Sequence, residues 1–212
     1  MARRPSNRDL VELTVLTLLA HGPKHPYELH RFILDTHKDY VTGLPRSLYH
    51  AVDRLAAHEL IQPVATSRAG RRPERTVYQI TAEGRAELGS RLTRLLEQPD
   101  PDSTVLSAAV SLCGSLPPAA VERALQTRAV TLEATLKALD AHAAGLQERG
   151  LPRVLVLELE SERAIRSAEL TWVRQILAEL RDGTLTWQPL LEEHEIGPSG
   201  GSSGKEVSAT DH

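Results

Sequence analysis

Leu10, Leu13, Leu16 or Thr17, and Ala20 recur three and four residues apart, a spacing that places apolar side chains on one face of a helix. Just before them, Ser6 or Asn7 offers a side-chain oxygen to the free N–H groups of a first turn, and His21-Gly22-Pro23 stops the run. A second helix starts at Pro26, whose ring suits a first helical position. It turns Leu29, Phe32 and Ile33 inward and fades over residues 36–39. After Gly43 and Pro45, a third helix runs from about Arg46 to Glu59, with Leu48, Val52, Leu55 and Ala56 on one face.

The period then changes. Residues 60–64 (Leu-Ile-Gln-Pro-Val) read as a short strand, and Thr76 to Thr81, rich in β-branched residues, as its partner. The polar stretch between them, Thr66 to Arg75, contains Gly70 and Pro73 and forms a long basic hairpin tip. Thr81 caps a fourth helix that buries Leu88, Leu92, Leu95 and Leu96 and stops at Pro99 and Pro101.

Beyond these prolines a short helix, roughly Ser103 to Cys113, precedes Pro117-Pro118. A long one follows with Val121, Leu125, Leu132, Leu136, Leu139, Ala143 and Leu146 inward, until Gly150-Leu151-Pro152 breaks it. The last helix spans about Arg153 to Arg181, with Val154, Leu157, Ile165, Ala168, Trp172, Ile176 and Leu180 on one stripe. Two long amphipathic helices with few local partners are an arrangement that commonly seals itself against a second copy. That stripe is therefore the candidate dimer contact. From Gly197 the tail is poor in apolar residues and reads as disordered.

Three helices, a strand, a basic loop, a strand and a helix within about 80 residues follow the order of a winged helix. The expected fold is mainly α: an N-terminal winged helix-turn-helix with a two-stranded wing, plus a C-terminal α-helical dimerisation domain. The expected division is a basic arm over 1–7, the winged helix over 8–98, the helical domain over 102–182 and a disordered tail over 197–212.

The net charge of −3 hides an asymmetry: residues 1–80 carry +4 and residues 81–212 carry −7. Only the front half is suited to a polyanion. A single cysteine, Cys113, excludes an intrachain disulfide and a four-cysteine zinc site. Surrounded by small apolar residues, it reads as a packing residue. Charged and hydrophobic fractions of 25% and 41% are those of an ordinary soluble protein. No apolar run is long enough to cross a bilayer, and the N-terminus does not resemble a signal peptide, so a cytoplasmic protein without membrane contact is expected.

In a winged helix the third helix lies in the major groove while the hairpin tip follows the backbone. With Leu48, Val52 and Leu55 inward, Arg46, Ser47, Tyr49, His50 and Arg54 face outward or sideways, and all can donate to phosphate oxygens or base edges. Arg68, Arg71, Arg72 and Arg75 crowd the hairpin tip, offset only by Glu74. Phosphates would relieve their mutual repulsion through counterion release. Lys24 and Tyr27, at the start of the second helix, complete the candidate DNA-binding set.

The segment from Leu16 to Leu29 (LTLLAHGPKHPYEL) resembles the "LLxxGPxHGYEL" opening of PadR-family transcription regulators. Ser47 to Leu55 with Leu60-Ile61 is similar to their "TLYxxLxRLExxGLI" recognition helix. Residues 71–84 are similar to their "GRPRxxYxLTxxG" wing. The stretch from Leu157 to Leu180 also resembles the family's version with long C-terminal helices. Over about residues 8–182 the resemblance implies a dimeric, usually repressing regulator released from DNA by a small molecule or another signal. This chain departs from the pattern at three places. Pro26 and Glu59 stand where the family has glycine, and Pro45-Arg46-Ser47 stands for "GT". The change at Arg46 falls where bases are read, so an operator sequence cannot be borrowed. Glu59 leaves the turn after the third helix without the usual residue for left-handed geometry.

Other chemistry is thinner. Six of the nine histidines lie between His21 and His58. His21 with His25, or His30 with His37, could pair on a metal, but no HExxH or Cys/His framework accompanies them, and neither metal nor cofactor is expected. No Gly-rich phosphate loop or nucleophile elbow is present, and an enzyme is not expected. A winged helix used only for protein contacts is the rival reading, and salt-dependent DNA binding separates the two.

Overall fold

The computed structural model describes residues 5–38, 40–67 and 75–185. The arginines Arg68, Arg71 and Arg72 and the tail assigned to 197–212 lie outside these residues. Among these residues, seven helices and one hairpin follow in the order α1 (Asn7–Ala20), α2 (Pro26–Asp35), α3 (Arg46–Ala57), β1 (Ile61–Ser67), β2 (Arg75–Ile80), α4 (Ala82–Glu97), α5 (Ser103–Leu112), α6 (Pro118–Glu148) and α7 (Leu157–Asp182). Single 3-10 turns follow α5 and precede α7. This is the mainly helical winged-helix arrangement that the residue periods predict.

Side chains of the residue types that start helices hold the first two in place. Ser6 accepts from the Asp9 amide while the Asp9 carboxylate accepts from the Ser6 amide at 2.7 Å, a reciprocal box that satisfies two orphan donors. His25 repeats the arrangement with Glu28: its Nδ1 accepts from the Tyr27 amide at 3.1 Å, and the Glu28 carboxylate accepts from the His25 amide at 2.7 Å. The ring nitrogen raised above as a metal ligand is thus a helix cap.

Sequence periodicity predicts one apolar face for α1. Instead, every residue from Leu10 to Leu19 is buried, because α3, α4, α5 and β2 surround the helix. Its polar residues are absorbed locally: Thr14 returns its hydroxyl to the Leu10 carbonyl at 2.8 Å, and Glu12 is neutralised from three sides, as described below.

β1 and β2 pair antiparallel from Ile61↔Ile80 outward, with a register shift between Pro63 and Ala65. A proline offers no N–H to a ladder, so the irregularity falls where pairing is already broken. Lys24 and Tyr78 exchange backbone hydrogen bonds at 3.0 Å, tying the turn before α2 to the wing.

The turn after α3 closes without glycine. Leu60 N–H reaches the Leu55 carbonyl at 2.9 Å and Glu59 N–H the Ala56 carbonyl at 3.0 Å, the bond pair of a Schellman cap, with Glu59 at φ 58°. A residue bearing a Cβ in this left-handed region is strained by about 1–2 kcal/mol. Glycine relieves that strain but has more unfolded-state freedom to lose. Glu59→Gly is therefore expected to stabilise the fold by about 0.5–1 kcal/mol, read as a higher urea midpoint at unchanged slope.

One apolar cluster runs without interruption from Leu10 to Leu177, with Leu95, Leu96, Val105 and Leu132 bridging the proline-marked boundary. In α7 the inward residues are Arg166, Leu170, Val173 and Leu177, packed against α6. The stripe assigned to dimerisation therefore divides. Trp172, Ile176 and Leu180 are partly buried against the chain's own core. By contrast Val154, Leu157 and Ile165 stay 67%, 47% and 60% exposed, and Ala168 is exposed as well. The long helices find more partners within the chain itself than the spacing suggests, since α6 packs against both α4 and α7.

Candidate nucleic-acid interface

α3 is fixed from beneath by Leu48, Ala51, Val52 and Leu55, all buried. Its start is set by the preceding loop. Ser47 Oγ donates to the Thr42 carbonyl at 2.9 Å, and the Asn7 side-chain amide brackets Thr42, accepting from its N–H at 3.3 Å and donating to its carbonyl at 3.4 Å. The loop is held from the back half too: the Lys38 ammonium donates to Ser111 Oγ of α5 at 2.7 Å, and Tyr40 Oη lies 3.3 Å from the same oxygen. Partial burial pushes the Lys38 pKa down and the Tyr40 pKa up. The helix that carries the candidate base-reading residues is thus positioned by α1 and α5 together.

On the opposite side of α3, Arg46, Tyr49, His50 and Asp53 are exposed. Tyr49 shows 45% of its surface, and Tyr27, in the first turn of α2, shows 59%. These are large aromatic faces to leave in water on a chain with only seven aromatic residues. Lys24 is half-buried, its backbone committed to the bridge with Tyr78. Ser47 is half-buried as well, its hydroxyl committed to the loop. The backbone of Arg75 begins β2, paired with Ser67.

Arg54 departs from expectation. It does not join the outward set: its Nε donates to Glu12 of α1 at 2.6 Å. Arg91 of α4 reaches the other oxygen of the same carboxylate at 3.2 Å, and Arg8 lies 3.5 Å away. Glu12 thus clasps α1, α3 and α4, and Arg54 belongs to that clasp. A charge inside an otherwise apolar run was the only local sign of it. Arg54 and Arg91 lie 42 and 79 residues away from it, out of reach of any periodicity argument.

Cys113 is buried, and desolvation pushes its thiol up to about 11, consistent with a packing residue. Among the described residues no group of three or more His, Cys, Asp or Glu could hold a metal ion. Among them, too, no helix is long and apolar enough to cross a membrane.

The sequence profile of the transcriptional regulator PadR-like family matches residues 15–90, from within α1 to the middle of α4. Similar solved structures include PadR of Bacillus subtilis in complex with operator DNA, at 20% identity, 80% of this chain, 98% of that chain and a TM-score of 0.38. The same protein in complex with p-coumaric acid gives 18%, 85%, 99% and 0.36. A PadR-like transcriptional regulator of Bacillus cereus gives 17%, 82%, 99% and 0.35. No curated protein matches the chain. Residues 15–90, which hold the buried helix triad and the two-stranded wing just described, thus carry the sequence pattern of the transcriptional regulator PadR-like family.

Proposed function

We propose that this chain is a sequence-specific DNA-binding repressor that acts as a homodimer and is released from its operator by a small-molecule effector. The observation that carries this reading is the two-sided α3. Its apolar face is locked into the core, and Arg46, Tyr49 and His50 stand exposed on the other side. The DNA-binding set is Arg46, Tyr49 and His50 for base edges. Tyr27, Lys24 and Ser47 lie beside them, and Arg68, Arg71, Arg72 and Arg75 of the wing grip phosphate.

The dimer reading draws on the exposed apolar residues Val154, Leu155, Leu157 and Ile165, joined by Val130 of α6, which is 67% exposed. A second copy would remove this surface from water. The working division is an arm over 1–7, a winged helix over 8–98 and a helical dimerisation domain over 102–182. The effector reading draws on a cavity of about 210 Å³ where Leu106, Ile165 and Trp172 face Arg128 and Arg166. It falls below the roughly 300 Å³ of drug-sized pockets and suits a small molecule.

Fluorescence anisotropy on the DNA upstream of the chain's own reading frame tests the first claim. Arg71→Ala with Arg72→Ala is expected to weaken binding to all duplexes alike. It should also lower the salt slope by about 3–4 in a dimer, at about 0.9 for each phosphate no longer neutralised. Arg46→Ala or His50→Ala should instead change which sequence is preferred. Unchanged affinity and slope in the wing variant would remove the wing from the interface, and absence of salt-dependent binding by the wild type would favour a protein-contact module.

A further inference from the structure

A helix leaves its last carbonyls without partners, and at the end of α4 they are satisfied from far along the chain. The carbonyl oxygens of Leu95, Leu96 and Gln98 each lie 3.1 Å from Nη1 of Arg128 on α6. Nε of the same guanidinium donates to Glu169 of α7 at 2.6 Å. The second oxygen of Glu169 accepts from Arg166 at 3.2 Å, and Arg166 also donates to the Asp100 carbonyl between α4 and α5 at 3.1 Å. Arg128 is 1% exposed. The winged helix, the linker and both long helices therefore meet at one buried, directional cluster.

From this geometry we propose that Arg128 and Glu169 are positioning residues for DNA recognition: they fix the angle at which the winged helix leaves the α6–α7 pair. The proposal rests on the dimeric DNA-binding reading above. Half-sites read by a dimer stand one helical turn, about 34–36 Å, apart or a multiple of it, so the two recognition helices must keep a set separation. α4, 16 residues long, is a lever of about 24 Å. A swing of about 10° at its Arg128 end moves the wing by about 4 Å, more than a hydrogen bond to a base edge tolerates. The surrounding leucines keep α4 against α6, but apolar contact is non-directional. A planar guanidinium held by a carboxylate and three carbonyls sets the angle.

Glu169→Gln removes the charge and keeps the shape. Two readouts are needed. The first is the distance distribution between spin labels at Asp53 of α3 and Glu148 of α6, both exposed, in a Cys113→Ala background diluted with unlabelled protein. The second is binding to duplexes that the wild type selects from a randomised pool, re-spaced by inserting base pairs one at a time between the halves.

The wild type is expected to show a narrow distance and to lose about tenfold or more in affinity on re-spacing. Glu169→Gln should broaden the distance, bind the original spacing about tenfold less tightly and discriminate less between spacings. Glu169→Asp, which keeps the charge, should recover much of the narrow distribution, an effect that loss of stability alone would not produce. Distances as narrow in Glu169→Gln as in the wild type overturn the proposal, and so does an unaltered spacing preference. If the wild type selects no duplex, the DNA reading falls, while the distances still decide whether the joint is directional.

Discussion

Gly84→Ala is expected to lower the melting temperature by about 6–12 °C, the shift that about 3 kcal/mol produces at this chain length. The reason is a close approach of two backbones. Thr81 caps α4 by accepting from the Gly84 amide at 3.0 Å, while its own N–H and hydroxyl are tied to the Leu60 carbonyl at 3.1 Å. The first turn of α4 is therefore drawn onto the turn between α3 and β1. A Cβ on Gly84 would stand 2.0 Å from the Leu60 oxygen and 2.8 Å from Ile80 Cγ1. A backbone oxygen cannot rotate away as a side chain can, so α4 would have to lift off the wing.

Gly89, one and a half turns along the same helix, supplies the control. A Cβ there meets nothing within 4 Å. Gly89→Ala should therefore stabilise the protein by about 0.5–1 kcal/mol through helix propensity alone. Thermal unfolding followed by circular dichroism reads both variants. Shifts of the same sign would show that glycine content, and not the close approach, governs this helix.

Arg128→Ala is expected to cost about 3–5 kcal/mol, the range for removing one partner of a buried ion pair. The guanidinium is held below its ordinary pKa by burial, with Glu169 pulling the other way. It is charged at any physiological pH. Its loss would leave the Glu169 carboxylate, 11% exposed, with Arg166 alone, and would take the guanidinium from three carbonyls at the end of α4, those of Leu95, Leu96 and Gln98. Arg153→Ala is the comparison: that guanidinium also pairs with a glutamate, Glu160, at 2.8 Å, but at 78% exposure. Water replaces such a partner at little cost, so its unfolding midpoint should stay with the wild type. Urea unfolding of the two variants side by side checks the contrast, and a midpoint unmoved by Arg128→Ala would show that the cluster contributes no net stability.

How legible these features were depended on how far apart the participating residues lie. The caps at Ser6 and Thr81, the helix start at Pro26, the buried faces of α2 and α3, the hairpin and the proline stops all involve residues within a few positions of one another. Spacing and side-chain chemistry report such contacts directly. The exposed face of α3 was readable for the same reason, because naming its buried residues leaves only the others. Arg54 was the exception. Its place on the helix suited either side, and the choice was made by Glu12, 42 residues earlier.

The back half shows the same limit. Helical spacing identifies apolar residues on α7 but not which of them meet α6 and which meet solvent, since adjacent stripes differ by only one or two positions. Leu170, Val173 and Leu177 took the inner place, and Ile165 and Leu157 were left outside.

From sequence alone came the element order, the helix starts and stops, the basic front half and the residues that α3 presents. Each of these follows from local backbone chemistry and from the periods of helix and strand. Only the tertiary structure decided that Arg54 clasps Glu12, that Gly84 admits the Leu60 carbonyl, and that Arg128 joins α4 to both long helices. Those are contacts between residues 24 to 42 positions apart, for which packing in three dimensions chooses one partner among many of equal local merit.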